Sequence, residues 1–299
     1  MAIEREMTRL LLSEAAKRPL HGSILQLGRQ KILFNESHVR KWAAQARVGL
    51  KTESTPMESS AANLERDLKR QLDDQEFFRL IGFDEVSSCD ASDYENPTFL
   101  FDLNKPVDES FHNRFDVILD GGTMEHIFSV PTVLANICSM LKVGGRVIHF
   151  TPSSNMIDHG FYSFSPTLFN DYYRANEYLI LTLSLFECIS WSGEWTVFDC
   201  LGGKLNNRLG RIANAKMAGV FCVAKKTAQS TSDVVPTQSH FSRVWEETTG
   251  GSAAVRQNSL MKEIKSNVPR LAEFLFWARA LVWRTPVIRR GAMPPVARK

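Results

Sequence analysis

The chain has 299 residues, of which 43% are hydrophobic and 23% are charged, so it is long enough for one large domain with appendages. The formal net charge is +3, from 36 Lys and Arg against 33 Asp and Glu. Five of the basic residues lie in the acid-free segment from Arg284 to Lys299, which leaves −2 for the rest of the chain. This balance excludes a generally basic surface, and we expect no nucleic-acid partner.

The cysteines and the hydropathy of the sequence indicate in which cellular compartment the protein is expected. Five cysteines are scattered without a Cys-x-x-Cys pair, which is typical of buried thiols in a reducing environment. Residues 1–20 lack the continuous apolar stretch of a signal peptide. The longest apolar-rich run, Tyr178 to Phe186, is too short to span a bilayer. We therefore expect a cytoplasmic protein.

The first half of the chain alternates helical and strand-like patterns. Residues 1–22 predict a short helix and a connector, and Ser23–Leu27 predicts a strand that ends at Gly28. A polar helical pattern then runs from about Ser37 to Phe83, with a break near Thr52–Pro56. Three short strands follow, and an acid ends each of them: Val86–Cys89 is followed by Asp90, Thr98–Phe101 by Asp102, and Phe115–Leu119 by Asp120.

The second half continues the alternation. Ser129 to Leu141 predicts a helix that Ser129 caps and that Gly144-Gly145 ends. The later elements are the strand Arg146–Phe150, the helix Pro166–Tyr178, and the strands Leu179–Phe186 and Gly219–Lys226. Such alternation predicts a doubly wound α/β fold, in which a mostly parallel sheet is covered by helices on both faces.

Composition changes at Thr227, and the chain divides into four predicted segments: an N-terminal helix and connector over 1–22, an α/β domain over 23–226, a polar linker over 227–258, and a helix with a basic tail over 259–299. The last segment is rich in aromatic residues and arginine. Three roles are open for it: packing on the domain, dimerisation, or weak contact with an anionic membrane surface.

The three strand-ending acids are the first candidates for a ligand site. In an open α/β sheet, ligands bind beyond the carboxyl ends of the strands. A carboxylate there can accept hydrogen bonds from a ribose diol or an adenine amine, although an Asp in this place also commonly caps the following turn. Three such acids in consecutive strands favour a nucleoside site.

Two segments carry a family resemblance. Phe115-Asp-Val-Ile-Leu-Asp-Gly-Gly-Thr-Met-Glu-His126 and Leu141-Lys-Val-Gly-Gly-Arg-Val147 resemble the "FDxVxxxxxLEH" and "LKPGGRL" segments of class I S-adenosylmethionine (SAM)-dependent methyltransferases of the type 11 group. The resemblance covers about residues 24–226. It implies a Rossmann-like fold and SAM as the cofactor.

The resemblance also implies which residues meet the cofactor. Asp90 occupies the place of the acid that holds the ribose hydroxyls. Asp102, followed by Leu103, looks like the acid on the adenine side. Asp120 and Gly121 would line the methionine end, where a missing Cβ lets backbone approach a ligand.

The first loop departs from the family pattern. The family has an acid and a Gly-x-Gly run there, whereas this chain has Gln26-Leu27-Gly28-Arg29, with one glycine and no acid. Gln26 and Gly28 are the candidates for contacts with the methionine amine, and Arg29 for contacts with its carboxylate. This altered loop also favours a second hypothesis, a non-catalytic protein of the same fold.

The polar segment at residues 151–162 is where a methyl acceptor would bind. His159 is the leading candidate for a general base, with Asp158 or Asp120 to orient it. His126 is a rival. The leading hypothesis is methyl transfer to a small-molecule or glycan-like acceptor.

Other chemistries lack their sequence signals. His149 is more typical of a structural histidine than of a base. We see no metal-ligand spacing and expect no metal, and the Gly-x-Ser-x-Gly elbow of hydrolases is absent. The Gly-x-Gly-x-x-Gly motif of dehydrogenases is also absent after the first strand. The hypotheses that remain are methyl transfer and, alternatively, binding of a nucleotide or a protein partner without catalysis.

Overall fold

The computed structural model describes residues 2–51, 70–201, 216–239, 241–242 and 270–271. Within them the elements are, in chain order, β1 (Ala2–Ile3), α1 (Arg5–Lys17), β2 (Ser23–Leu27), β3 (Lys31–Ile32), α2 (Glu36–Ala46), α3 (Asp74–Leu80), β4 (Glu85–Asp90), β5 (Phe99–Leu100), β6 (Phe115–Asp120), α4 (Val130–Met140), β7 (Leu141–Ser154), α5 (Pro166–Ala175), β8 (Leu179–Cys188), β9 (Thr196–Asp199) and β10 (Met217–Lys225). Two short 3₁₀ turns lie at Glu109–Phe111 and Met124–His126.

Eight strands form one mixed sheet in the order β5-β4-β2-β6-β7-β10-β8-β9. The four pairings from β5 to β7 are parallel, and those of β10 with β7 and β8, and of β8 with β9, are antiparallel. The predicted α/β class with a mostly parallel sheet is confirmed, and the three antiparallel pairings involve β8, β9 and β10. For β8 and β9 the reason is their short connection, from Cys188 to Thr196, which leaves no room for the helical crossover that a parallel pair needs.

Each face of the sheet carries its own core. One core packs α1, α2 and α3 against the sheet through residues such as Met7, Trp42 and Phe77. The other packs α4 and α5 through residues such as Leu134 and Phe169. Helices therefore cover both faces, as the alternation of elements predicts.

Several predicted boundaries need correction. The helix that begins after Ser129 ends at Met140, and Gly144 and Gly145 lie inside β7, which starts at Leu141. The apolar run from Tyr178 continues as β8 to Cys188, and α5 ends earlier, at Ala175. Strands β1, β3 and β9 lack a prediction, because two to four residues are too few to show a period.

The C-terminal predictions lie largely outside the described residues. The first part of the predicted linker is held to the domain at Asn176, whose side-chain oxygen accepts from the Thr231 hydroxyl and the Val234 N–H at 3.0 and 3.1 Å. Of the predicted C-terminal helix, only 270–271 are described, so its role stays a prediction. No helix in the described part of the chain is long and apolar enough to cross a membrane.

Candidate active site

The loop after β2 takes an unusual path. Gly28 has a φ of +71°, and its N–H donates to Cys89 O at 2.9 Å. The chain does not enter a helix next. It forms β3, which pairs in parallel with β1, and α2 begins only at Glu36. No helix N-terminus therefore follows this loop directly, in contrast to the usual arrangement at a nucleotide site.

The loop after β2 contains no acidic residue, but a carboxylate from another element of the fold contacts it. Asp74, in the first turn of α3, is almost fully buried. Its Oδ1 accepts from Arg29 Nε and Nη2 at 3.1 and 2.9 Å, and its Oδ2 accepts from Gln26 Nε2 at 2.9 Å. Asp74 thus stabilises the loop, and its hydrogen bond raises the pKa of Arg29 further above its usual value.

The side chain of Gln26 is fully engaged within the protein, and its contact with a methionine amine stays a prediction. Its side chain is fully buried. The amide donates to Asp74, and the oxygen accepts from the N–H of Gln30 at 3.1 Å. Gln26 therefore shapes the loop and does not present a free group to a methionine amine.

An open cavity of about 560 Å³ lies beside this loop. Its walls come from the loop after β2, the start of α3 and the loop after β4, and its lining residues are Arg29 to Leu33, Gln71 to Asp74, Tyr94 and Glu95. The volume is in the range of small-molecule sites. The cavity therefore lies where the topology predicts a ligand, at the carboxyl ends of β2 and β4.

Among the strand-ending acids, Asp90 has the fewest hydrogen bonds to its carboxylate within the described residues. It is half-buried, and its Oδ1 accepts from Ser92 N–H at 3.1 Å. Its other oxygen accepts no hydrogen bond from the residues that the structure describes. Asp90 also begins the loop that carries the cavity residues Tyr94 and Glu95. It can therefore accept a ligand hydroxyl.

The predicted adenine-side residues serve mainly the local turn. Asp102 accepts from the N–H and the side-chain amide of Asn104, both at 2.9 Å, and these bonds lower its pKa. Leu103 is a buried core residue, and its carbonyl accepts from Asn136 Nδ2 at 3.2 Å. The Leu103 side chain is enclosed by the core, and a part for Leu103 in a cofactor site stays a prediction.

The glycines at the ends of β2 and β6 make room for the protein's own side chains. A Cβ on Gly121 would lie 2.9 Å from the side chain of Gln30, and one on Gly28 would lie 2.7 Å from Thr123 Oγ1. Gln30 is buried, and its Oε1 accepts no hydrogen bond within the described residues. In this arrangement Gln30 occupies the space next to Gly121 where a methionine group is expected.

Asp120 belongs to a buried chain of hydrogen bonds. Its Oδ2 lies 2.8 Å from His149 Nδ1, and His149 Nε2 lies 2.6 Å from the hydroxyl of Tyr173. Its Oδ1 accepts from the N–H groups of Thr123 and Met124 at 2.9 and 3.1 Å. Asp120 is fully buried and pairs with His149, so both its contact with a ligand and its role in orienting His159 stay predictions.

Glu125 is the residue that meets His159. Its Oε1 lies 3.7 Å from His159 Nε2, and the rings of His126 and His159 are 5.2 Å apart between centroids. Asp158 is exposed at a φ of +64°, outside this group. Burial, followed by the charge of Asp120, raises the pKa of Glu125 to about 8, and burial, followed by the His159 charge, lowers that of His126.

The sequence contains a signal for Glu125. It stands directly before His126 in the segment that carries the family resemblance, whereas the search for a general base singled out histidines. His126 and His159 lie together as candidates for acid–base chemistry. Their catalytic role stays a prediction.

An exposed aromatic pair lies beside this group. Phe128 and Phe161 are 71% and 66% exposed, and their rings meet edge to face at 5.8 Å. The hydroxyl of Tyr162 donates to Phe128 O at 2.8 Å and holds the two segments together. Phe164, by contrast, is a core residue. The pair offers an apolar surface next to the histidines.

Comparisons with known proteins give a likeness of fold. No family model and no curated protein matches the sequence. Among solved structures, it is similar to a Burkholderia thailandensis 1,6-didemethyltoxoflavin-N1-methyltransferase with bound S-adenosylhomocysteine (14% identity, 75% of this chain, 78% of that chain, TM-score 0.35). It is also similar to a SAM-dependent methyltransferase from Archaeoglobus fulgidus (10%, 75%, 95%, 0.39), and to a geranyl diphosphate methyltransferase in complex with SAM (15%, 75%, 85%, 0.37). At these identities and TM-scores the likeness carries no conclusion about activity.

Proposed function

We propose that this chain is a SAM-dependent methyltransferase that acts on a small-molecule or glycan-like acceptor. The observation that carries the proposal is the cavity at the carboxyl ends of β2 and β4, which is lined in part by Tyr94 and Glu95 of the loop that begins at Asp90. The two segments that resemble the family support it, because they form β6 with the following 3₁₀ turn and the first half of β7.

The roles of the chain's own residues follow from the chemistry. When SAM is bound, its sulfonium supplies an electrophilic methyl group. The protein then has to bind and align the two reactants, since methyl transfer is an in-line displacement. Asp90 would accept the ribose hydroxyls, and the loop at Gly28 would face the rest of the cofactor.

The acceptor side lies at the ends of β6 and β7. The Phe128–Phe161 pair offers a face on which a planar or glycan-like ring can stack. The imidazoles of His126 and His159 lie next to it and are exposed, so they can meet the polar end of an acceptor. An acceptor of modest size fits this surface, which is why a small molecule or a sugar is proposed.

The test is direct titration of the full chain with SAM and with S-adenosylhomocysteine by calorimetry. We expect binding of both at one site per chain. Asp90→Asn should weaken both by about 10- to 100-fold, because a hydrogen bond to a charged group is worth about 1.5–3 kcal/mol. Asp93→Asn is the matched control, since Asp93 is an exposed acid of the same loop. No heat with either compound would refute the proposal, and equal losses in the two variants would refute the ribose role of Asp90.

One observation favours the second function, binding without catalysis. Gln30 packs against Gly121 and Thr123 against Gly28, in the space where the methionine part of SAM is expected. A protein that binds only the nucleoside would keep this space filled. It would bind adenosine at least as tightly as SAM, whereas a methyltransferase should prefer SAM. Gln30→Ala separates the two further, because it should raise SAM affinity while leaving adenosine affinity unchanged.

A further inference from the structure

The strongest unassigned feature is a group of three metal-ligating side chains. Glu125 and His126 lie on the 3₁₀ turn after β6, and His159 lies on the turn after β7. One carboxylate oxygen and one nitrogen from each ring all lie within 4.8 Å of one another. Ligands of a tetrahedral zinc ion are about 3.4 Å apart, given metal–ligand distances of about 2.1 Å. Small side-chain rotations therefore suffice to bring the three atoms around one ion.

An unpartnered atom points to a cation in this place. Glu125 is 1% exposed, and its Oε2 is buried without a hydrogen-bond donor among the residues that the structure describes. A buried carboxylate normally has such partners, because an unpaired one is costly. The nitrogen of His159 lies 3.7 Å from Glu125 Oε1, which is beyond a hydrogen bond. A metal ion would satisfy the carboxylate.

The backbone holds the two ligand-bearing turns together before any ion binds. The N–H of Phe161 donates to Glu125 O at 2.8 Å. Gly160 lies so close to that carbonyl that a Cβ there would be 2.8 Å from it. On the other side, the carboxylate of Asp120 accepts from the backbone of the 3₁₀ turn. The site is therefore largely preorganised.

The donor set selects the class of metal. Two imidazoles and one carboxylate suit zinc and its transition-metal neighbours, whereas magnesium and calcium prefer oxygen ligands alone. Three protein ligands leave at least one coordination position open, which is the pattern of catalytic zinc sites. Both histidines face solvent, so the open position is accessible to water or to an oxygen of a bound molecule.

We propose that Glu125, His126 and His159 bind one divalent transition-metal ion of the zinc class, with an open coordination position at the carboxyl end of β6. This site shares no residue with the lining of the cavity proposed for SAM, and it gives the two histidines on the acceptor side a further role as metal ligands. The 33-residue separation of the ligands explains why the sequence shows no metal-ligand spacing. The two segments meet only because β6 and β7 are neighbours in the sheet.

The test is zinc binding by the full chain, freed of metal by dialysis against EDTA and titrated in competition with a colorimetric zinc chelator. We expect one zinc ion per chain. His159→Ala and Glu125→Gln should each weaken binding by about 100-fold or more, since even loss of an outer-sphere partner costs 10- to 100-fold. His159→Asp keeps a ligand and should retain much of the affinity. His112→Ala is the control, because His112 is an exposed histidine elsewhere.

Cobalt(II) provides a second measurement on the same samples. Its visible spectrum should show a site of low coordination number without the near-ultraviolet thiolate band that cysteine ligands give. Absence of zinc binding would overturn the proposal. So would full binding by His159→Ala, or a thiolate band, since the ion would then lie elsewhere. SAM takes no part in this experiment, so its outcome is independent of the proposed methyl transfer.

Discussion

Adjacent tyrosines on α5 give a matched test of the buried hydrogen-bond chain. The hydroxyl of Tyr173 is fully buried and lies 2.6 Å from His149 Nε2. In the neutral tautomer whose Nδ1 donates to Asp120 Oδ2, at 2.8 Å, Nε2 is the acceptor and the Tyr173 hydroxyl is the donor. Burial raises the pKa of Tyr173 well above its usual value, which keeps the donor proton in place. Tyr172 has a buried hydroxyl too, but none of the described residues pairs with it.

The two Tyr→Phe substitutions should therefore differ. Tyr173→Phe leaves His149 Nε2 buried without a donor, and we expect a loss of about 1–3 kcal/mol in the free energy of unfolding. Tyr172→Phe removes a hydroxyl that is buried without a partner, so we expect no loss or a small gain. Both changes remove one oxygen from the same helix, and differences in packing should largely cancel.

Urea denaturation of the wild type and both variants, followed by circular dichroism, measures these differences as long as the m-values agree. In thermal unfolding, each kcal/mol should correspond to about 2–4 °C for a chain of this size. If Tyr172→Phe costs as much as Tyr173→Phe, or more, the argument from the Asp120–His149–Tyr173 chain is refuted.

Two further predictions concern the end of β6 and the cysteines. Gly121→Ala should destabilise the protein, because the new Cβ would lie 2.9 Å from the side chain of Gln30. In a double-mutant cycle measured by urea denaturation, Gln30→Ala should remove most of that loss of stability. Additive losses in the double mutant would argue against the contact. All five cysteines are buried, and burial raises the pKa of Cys89 from 9.0 to about 12. We expect all five thiols to react slowly with a thiol reagent in the native protein at pH 8 and rapidly after unfolding. At Cys89 the raised pKa lowers the native thiolate fraction by about a thousandfold. A fast-reacting thiol in the native protein would contradict the burial.

Much of the fold is readable from the sequence because its signals are local. Ser23–Leu27 is a strand at the predicted residues, and the acids predicted to end strands stand at or just beyond the ends of β4, β5 and β6. The antiparallel insertion of β10 between β7 and β8 is a long-range pairing. The hydrophobic period and the strand propensity of a segment do not show which other strand it pairs with.

The candidate active site is harder to predict from the sequence, because its contacts join segments that are far apart along the chain. Asp74 reaches Gln26 across 48 positions, and the group at Glu125 depends on His159, 34 residues further along the chain. For the other candidate residues, the sequence does not show which side chains are buried and already paired within the protein. Asp120 stands at a strand end that is typical of ligand contacts, but the sequence cannot show that His149 lies opposite it in β7.

The pairing of β1 with β3 has a consequence for how the cavity is held. Lys31 and Ile32 line the cavity and form a two-stranded sheet with Ala2 and Ile3, apart from the eight-stranded sheet. One wall of the cavity therefore depends on the first few residues of the chain, through two pairs of backbone neighbours. Local opening of this wall should require far less free energy than global unfolding. Access to the cavity and the stability of the domain are thus properties that can vary separately.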